Sequence, residues 1–158
     1  MASRAGWDAG RTSRNSPSLH LFGKIEESKD YEGNYLVGVI LGVRVVAPRA
    51  ADQKPAYYFE MCVTDTNVKI ASVKGENDQR EQVPVTLGKP YSIRGTTDLC
   101  YHLKDVIGNP SGYYGCGVEI QYEGTKKFAK SPKPSHIFTV YLDPEWKVAG
   151  GAADAHDD

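Results

Sequence analysis

Residues 35–46, Tyr-Leu-Val-Gly-Val-Ile-Leu-Gly-Val-Arg-Val-Val, are the part of the chain that most clearly indicates its fold. Side chains in a strand alternate between its two faces, so this segment predicts an apolar face formed by Val37, Val39, Leu41, Val43 and Val45. The other face carries Gly38, Gly42 and Arg44. Because glycine relieves crowding where a strand bends, the pattern predicts a long, coiled strand of a barrel.

The segments after this strand predict further strands, loops and one helix. Strands are predicted at residues 56–65, 68–73, 83–87, 91–94, 117–122 and 137–142. The strands at 56–65 and 68–73 are predicted to form a hairpin. Residues 83–87 and 91–94 form either one bent strand or two short ones. Residues 74–82 are polar and predict an exposed loop. A helix is predicted at about residues 98–107, with Asp98 as its N-cap and Gly108 as its stop.

The order of these elements is three or four strands, one short helix and two closing strands. It predicts a mostly-β fold, an OB-fold-like antiparallel barrel of five or six strands with the helix between its third and fourth strands. An antiparallel β-sandwich with an added helix is the alternative architecture.

The 158 residues suit one domain with a tail at each end. Residues 1–20 are polar and predict a flexible basic arm, residues 21–146 predict the β-barrel domain, and residues 147–158 predict a disordered acidic tail. Hydrophobic residues make up 40% of the chain, which is enough to form a core.

The ends of the chain and its cysteines narrow the cellular setting. No apolar run approaches the ~20 residues of a membrane helix, and residues 1–18 lack the apolar region of a secretory signal. The Arg- and Ser-rich leader leaves a transit peptide as an alternative. Cys62, Cys100 and Cys116 are an odd set without a CxxC motif, which predicts a reducing compartment, the cytosol, or the host cytoplasm for a viral protein.

The formal charge of −1 conceals an uneven distribution along the chain. Residues 1–20 carry a net charge of +2, residues 21–142 carry +1, and residues 143–158 carry −4. Near-neutrality of the whole chain therefore does not argue against a polyanionic ligand.

Two predicted loops are basic. Residues 124–136, between the last two strands, contain no acidic residue, and the end of the long strand with the segment after it is also positively charged. The basic side chains are Lys126, Lys127, Lys130 and Lys133 in the first, and Arg44, Arg49 and Lys54 in the second. In an OB-fold these two loops flank the ligand groove. They therefore predict a groove for a phosphate backbone, with ordinary solvated loops as the alternative.

Aromatic residues supply candidates for base stacking. Tyr57-Tyr58-Phe59 places rings on both faces of a strand, so one ring points away from the core. We assign Tyr58 and Phe128 to the predicted site because each lies beside a basic loop, together with Tyr91 and Arg94 from the later strand. Further candidates are Tyr101, Tyr113, Tyr114 and Tyr122. Packing on the sheet is the alternative role for every ring.

The layout over residues 31–158 resembles small single-stranded DNA-binding proteins of phages and plasmids. Proteins of that family have an OB-fold core, basic loops, stacking aromatic residues and an acidic C-terminal tail. The resemblance implies sequence-tolerant binding of single-stranded DNA in replication or recombination. It also implies self-association, and the acidic tail is a candidate contact for a replication partner. The sequence does not distinguish DNA from RNA as the ligand.

Other classes of function are less well supported. A viral capsid, tail or cement subunit is the main alternative, since Arg4, Arg11 and Arg14 lie in the predicted arm. Cys100, His102 and Cys116 match no standard zinc spacing, and no Walker motif, dinucleotide motif or carboxylate cluster is present. We therefore expect neither enzyme activity nor a cofactor or metal.

Overall fold

Apolar and polar residues alternate along much of the chain and produce a protein built mainly of strands. A computed structural model describes residues 16–48, 50–74 and 79–147, without the side chains of residues 146 and 147. Within these residues the strands are β1 Ser18–Leu19, β2 Tyr35–Val46, β3 Ala56–Thr66, β4 Ile70–Lys74, β5 Arg80–Pro84, β6 Lys89–Arg94, β7 Cys116–Lys126 and β8 Ser135–Lys147. The helices are α1 Thr97–His102 and α2 Lys104–Gly108, with 3₁₀ helices at Ile25–Asp30 and Pro110–Tyr113.

The eight strands of the described residues form one mixed sheet in the order β5-β4-β1-β6-β3-β2-β7-β8. Only the short contact between β1 and β6 is parallel; all other pairs are antiparallel. The prediction of a mostly-β fold is confirmed. The predicted closed barrel of five or six strands is not found, because β1, β4 and β5 extend the sheet beyond β6 and leave β5 and β8 as its edges.

Strand β2 has the predicted bounds but presents different residues to the core. Leu36 and Ile40 are fully buried, whereas Val45 is 55% exposed. Register shifts at Val37/Gly38 and at Ile40/Gly42 interrupt the simple alternation, so the predicted apolar face of Val37 to Val45 is wrong. Gly38 is required at the first bulge, since a Cβ there would lie 2.5 Å from the carbonyl oxygen of Cys62.

The middle of the chain departs from prediction in its strand pairing. Strands β3 and β4 do not form the predicted hairpin; β4 pairs instead with β1 and β5. The end of the predicted loop at residues 74–82 belongs to β5, a strand with few apolar residues. The strand predicted at residues 83–87 therefore begins earlier, at Arg80, because backbone pairing with β4 extends it through polar residues, and it ends at Pro84.

The predicted helix is present as two short helices separated by Leu103. Its N-cap is Thr96, whose side chain accepts a hydrogen bond from the backbone amide of Leu99, and not Asp98. The Asp98 carboxylate instead accepts the backbone amide of Phe138 in β8 at 2.8 Å, which ties α1 to the sheet.

Residues 16–20, assigned to the flexible arm by sequence, belong to the folded part of the protein. Ser18 pairs with Ser72 of β4, and the amide of Ser92 in β6 donates to the carbonyl of Pro17. Leu19 and Leu21 are buried in the core. Residues 1–15 of the predicted arm and residues 148–158 of the predicted tail lie outside the described residues.

The core lies on one side of the sheet, under the helices. Strands β2, β3, β6 and β7 contribute alternate residues to one cluster, which Leu99, Leu103 and Val106 of α1, α2 and their junction complete. In β7, buried Val118, Ile120 and Tyr122 alternate with exposed Glu119, Gln121 and Glu123. The opposite face of β7 therefore presents polar side chains. Among the described residues, no helix has the length and apolarity needed to cross a bilayer.

Candidate nucleic-acid groove

A groove of about 850 Å³ lies on the surface where the ends of several strands meet. Its floor includes Tyr58 of β3 and Arg94 of β6, and the start of β8 and the segment around β1 form its walls. The lining residues are Ser18, Leu19, His20, Phe22, Gly23, Lys24, Ile25, Tyr58, Ser72, Arg80, Arg94, Gly95, Thr96, Thr97, Pro134, Ser135 and His136. Its volume falls within the range of about 300–1,000 Å³ that is usual for ligand sites.

The charged side chains that line the groove are all cationic. They are Lys24, Arg80 and Arg94, and no Asp or Glu of the described residues lines the groove. Arg80 is held in place by the buried Ser72, whose hydroxyl accepts a hydrogen bond from its guanidinium at 2.8 Å. A concave surface lined by charges of one sign focuses the electrostatic field on an oppositely charged ligand.

The floor of the groove is continued by a row of side chains on three adjacent strands. In the sheet register, Arg44 of β2 lies opposite Tyr58 of β3, which lies opposite Arg94 of β6. The Arg44 guanidinium stacks on the Tyr58 ring, with its carbon 4.4 Å from the ring centroid. Glu60 Oε2 lies 3.5 Å from Arg44 Nε, so the Arg44 side chain is also held by an ion pair. Tyr58 is therefore a half-buried ring between two arginines.

One wall of the groove is an aromatic cluster. Phe22 contacts His136 with ring centroids 4.6 Å apart, and the Tyr122 hydroxyl lies 2.6 Å from His136 Nδ1. Burial lowers the pKa of His136, so its imidazole is neutral at neutral pH. Burial, and secondarily the positive charge of Arg80, lower the pKa of His20. Both histidines thus face the groove as uncharged groups that acid can charge.

The predicted basic loop between β7 and β8 leads directly into this wall. Its last residues, Pro134 to His136, line the groove, whereas its four lysines are exposed in the preceding segment. Lys127 Nζ donates to the carbonyl of Ser131 at 2.8 Å, and Lys126 Nζ lies 5.3 Å from the centroid of the Phe128 ring. Lys126, Lys127, Phe128, Lys130 and Lys133 therefore flank the groove and do not line it.

The remaining predicted site residues have different locations. Tyr91 is only 4% exposed and packs in the core, where its hydroxyl accepts the backbone amide of Thr86 at 2.7 Å. Its assignment as a stacking residue is wrong because it occupies an inward position of β6. Lys54 is exposed in the loop between β2 and β3 and does not line the groove, and Arg49 lies outside the described residues.

Sequence reasoning missed most of the charged and aromatic lining, namely His20, Phe22, Lys24, Arg80 and His136. His20 lies in the segment predicted as a flexible arm, Phe22 and Lys24 directly follow it, and Arg80 lies in the segment predicted as an exposed loop. Apolar Leu19 and Leu21 on either side of His20 are the signal that could have identified a strand-like segment there.

No second type of chemistry emerges at the groove or elsewhere in the part of the chain that the structure describes. No group of three or more His, Cys, Asp and Glu side chains there could hold a metal ion. Cys62, Cys100 and Cys116 form no disulfide, and burial raises the pKa of the Cys100 thiol, which makes it a poor nucleophile.

Comparison with known proteins provides no independent guide to this site. The chain matches no protein-family model, no curated protein and no solved structure. The function of the protein is therefore inferred from the groove itself.

Proposed function

We propose that the protein binds single-stranded nucleic acid, with little dependence on sequence, in the groove lined by Lys24, Arg80 and Arg94. The observation that carries this proposal is the groove's lining, which has cationic side chains and aromatic rings and, within the part of the chain that the structure describes, no carboxylate. Arginine and lysine neutralise phosphates whatever the base sequence, and every base has a face that can stack on a ring. We propose single-stranded DNA as the ligand, for replication or recombination, in the cytosol.

The proposed binding mode gives the two kinds of side chain different tasks. Arg80 and Arg94 contact the phosphate backbone, because both line the groove and Arg80 is already oriented by Ser72. Tyr58 stacks a base, since its ring is half-buried on the floor and one face is supported by the Arg44 guanidinium. A ring supported in this way loses little side-chain entropy when a base stacks on it.

The strand order supports a finer proposal about architecture. Within the eight-stranded sheet, five strands follow the order β6-β3-β2-β7-β8, and the helices lie between β6 and β7. We propose that this group is an OB-like unit with β2 as its first strand, and that β1, β4 and β5 are additions. In such a unit the second and third strands and the loop between the fourth and fifth strands carry the ligand, which corresponds to Tyr58, Arg94 and the loop before His136.

Titration of labelled oligo(dT) at several salt concentrations tests the proposal. We expect log K to fall linearly with log salt, because bound phosphates release counterions. Replacing Arg80 and Arg94 together by Ala removes two phosphate contacts, so the salt slope should fall by about 2 and binding should weaken at every salt concentration.

Lys89→Ala is the matched control. Lys89 is exposed on β6, the same strand as Arg94, and it does not line the groove. We expect its affinity and salt slope to equal those of the unmodified protein. Absence of oligo(dT) binding at low salt, or equal weakening by Lys89→Ala and by the arginine pair, would overturn the proposal.

A second candidate function is an assembly subunit that packs against copies of itself. It is favoured by large exposed apolar side chains away from the groove, namely Val45, Val46 and Tyr141. Light scattering over a range of protein concentrations tests it. A particle that grows with concentration without nucleic acid would support this function, and a small particle of constant size would contradict it.

A further inference from the structure

Helix α1 carries an exposed aromatic ring next to the groove. Thr97 lines the groove, and Tyr101 lies four residues later on the same face of the helix. Tyr101 is 64% exposed, the highest value among the large hydrophobic residues exposed in the described part of the chain. One helical turn of about 5.4 Å separates the two positions, which exceeds the ~3.4 Å between successive stacked bases. The ring is therefore placed to serve a nucleotide beyond those held in the groove.

A cation accompanies this ring. Lys104 Nζ lies 4.6 Å from the centroid of the Tyr101 ring. Like the Arg44–Tyr58 pair and the Lys126–Phe128 pair, it places a cation beside an aromatic ring. Each pair combines a group that can contact a phosphate with a ring that can stack a base.

The acidic residues near Tyr101 leave this surface open to a polyanion. The carboxylate of Asp98 accepts the amide of Phe138 at 2.8 Å and lies 3.4 Å from His102 Nε2, so it is directed toward β8. Asp105 is exposed beside Lys104 and is the carboxylate that opposes binding there. Lys104 and Asp105 together are neutral, and the stacking surface of Tyr101 is therefore the main attraction.

We propose that single-stranded nucleic acid leaves the groove past Thr97 and continues over α1, where Tyr101 stacks a base and Lys104 contacts its phosphate. This inference rests on the proposed function of the groove. It adds a second contact segment, so the length of strand that the protein covers exceeds what the groove alone accepts.

Oligo(dT) of graded length, from about 4 to about 16 nucleotides, tests the extension, since this range spans the site sizes of related folds. Tyr101→Ala should leave the affinity for the shortest bound oligonucleotide unchanged and weaken the longest by about fivefold or more. Tyr101→Phe keeps the ring and should restore the affinity for the long oligonucleotide. Lys104→Ala should lower the salt slope by about 1, again only for long oligonucleotides.

Tyr141→Ala is the control for loss of an exposed tyrosine. Tyr141 is 59% exposed on β8 and does not line the groove, so its removal should change no affinity at any length. Unchanged binding by Tyr101→Ala at all lengths, with Arg80 and Arg94 still required, would overturn the extension and leave the groove function intact. Equal weakening at every length would place Tyr101 within the groove's own segment and would also overturn the extension. Failure of the unmodified protein to bind any length would remove the proposed function itself.

Discussion

The surface of the protein contains two concave regions of opposite character. The groove of about 850 Å³ is lined, among the described residues, by three cationic side chains and by no carboxylate. A smaller cavity of about 210 Å³ over β2, β7 and β8 contains Glu119 and Asp143 and no Lys or Arg among its lining residues. Tyr58 lies in the first region and Tyr141 in the second.

A chain with a net charge of −1 therefore has local surfaces of opposite sign. Aromatic residues occur in both regions, so a ring alone does not distinguish a binding surface from an ordinary one. The sign of the charge around the ring makes this distinction, because long-range attraction of phosphates depends on the local electrostatic field and not on the net charge of the chain. The two regions can therefore be tested against each other.

Exchanging charges between the regions should have the largest effect. Arg94→Glu removes a phosphate contact and adds repulsion, so we expect oligo(dT) affinity to fall by about 100-fold at low salt. Glu119→Lys adds a positive charge to the smaller cavity. It should change the affinity for oligo(dT) less than about threefold, since the proposed path of the nucleic acid does not cross that cavity. Fluorescence anisotropy measures both. A comparable effect of the two variants would show that total charge alone controls binding.

Removing the ring from each region should have the next largest effect. Tyr58→Ala should weaken oligo(dT) binding by about 1–3 kcal/mol, the contribution of one stacked base, and it also releases Arg44. Tyr141→Ala should leave binding unchanged because its surroundings are acidic. Isothermal titration of both variants provides the measurement. Weaker binding by Tyr141→Ala would mean that the strand crosses the smaller cavity.

A third pair of variants tests how rigidly the sheet under the smaller cavity is packed. Gly38 lines that cavity, and a Cβ there would meet the Cys62 carbonyl oxygen at 2.5 Å, so Gly38→Ala should lower the free energy of unfolding by about 1–3 kcal/mol. Gly42→Ala, at the second bulge of β2, has open space and should change stability by less than about 1 kcal/mol. Chemical denaturation compares the two. Equal destabilisation would show that the bulges, and not the close contact, require glycine.

Acidification should produce the smallest effect, and only in the groove. The pKa values of His20 and His136 are lowered by burial, with Arg80 also opposing the charge on His20. Bound phosphates favour the protonated imidazoles, so affinity should rise severalfold between about pH 7.5 and pH 5.5.

Stability should change in the opposite direction. In the unfolded chain, His20 and His136 bind protons at the ordinary histidine pKa near 6.5, whereas in the folded chain they do so only at lower pH. The free energy of unfolding should therefore fall as pH drops below about 6.5. His136→Phe keeps the contact with Phe22 and removes one titrating group, so both pH dependences should become shallower. An unchanged affinity profile in this variant would mean that His136 does not face the bound strand.

The strong strands could be predicted from sequence because their residues alternate or are continuously β-branched. The bounds of β2 were predicted correctly and those of β3 within one residue. Strand β1 was missed because it has only two residues, and β5 was predicted at residues 83–87 instead of Arg80–Pro84 because its first three residues are polar. Formation of β1 depends on pairing with β4 and β6, which lie far from it in the chain, whereas β5 pairs with β4, its neighbour in sequence.

The candidate site was predictable only in part for the same reason. The sequence analysis included Arg44, Tyr58 and Arg94, but their alignment in one row depends on the register of β2, β3 and β6. Tyr91 and Arg94 are three residues apart in β6 and therefore lie on opposite faces, so Tyr91 packs in the core while Arg94 lines the groove. Arg80, His20 and His136 lie far apart in the chain and meet only because the sheet brings their strands together.

The bond between Asp98 and the amide of Phe138 has a consequence for how copies of this protein behave at high concentration. Phe138 lies on β8, an edge strand whose outward amides would otherwise be open to a strand of another molecule. Asp98 already accepts a hydrogen bond from one of those amides, and its negative charge repels the carbonyl oxygen of an approaching backbone. Growth of copies into a continuous intermolecular sheet is thereby hindered at β8. We expect Asp98→Ala to promote fibrous aggregation on prolonged storage.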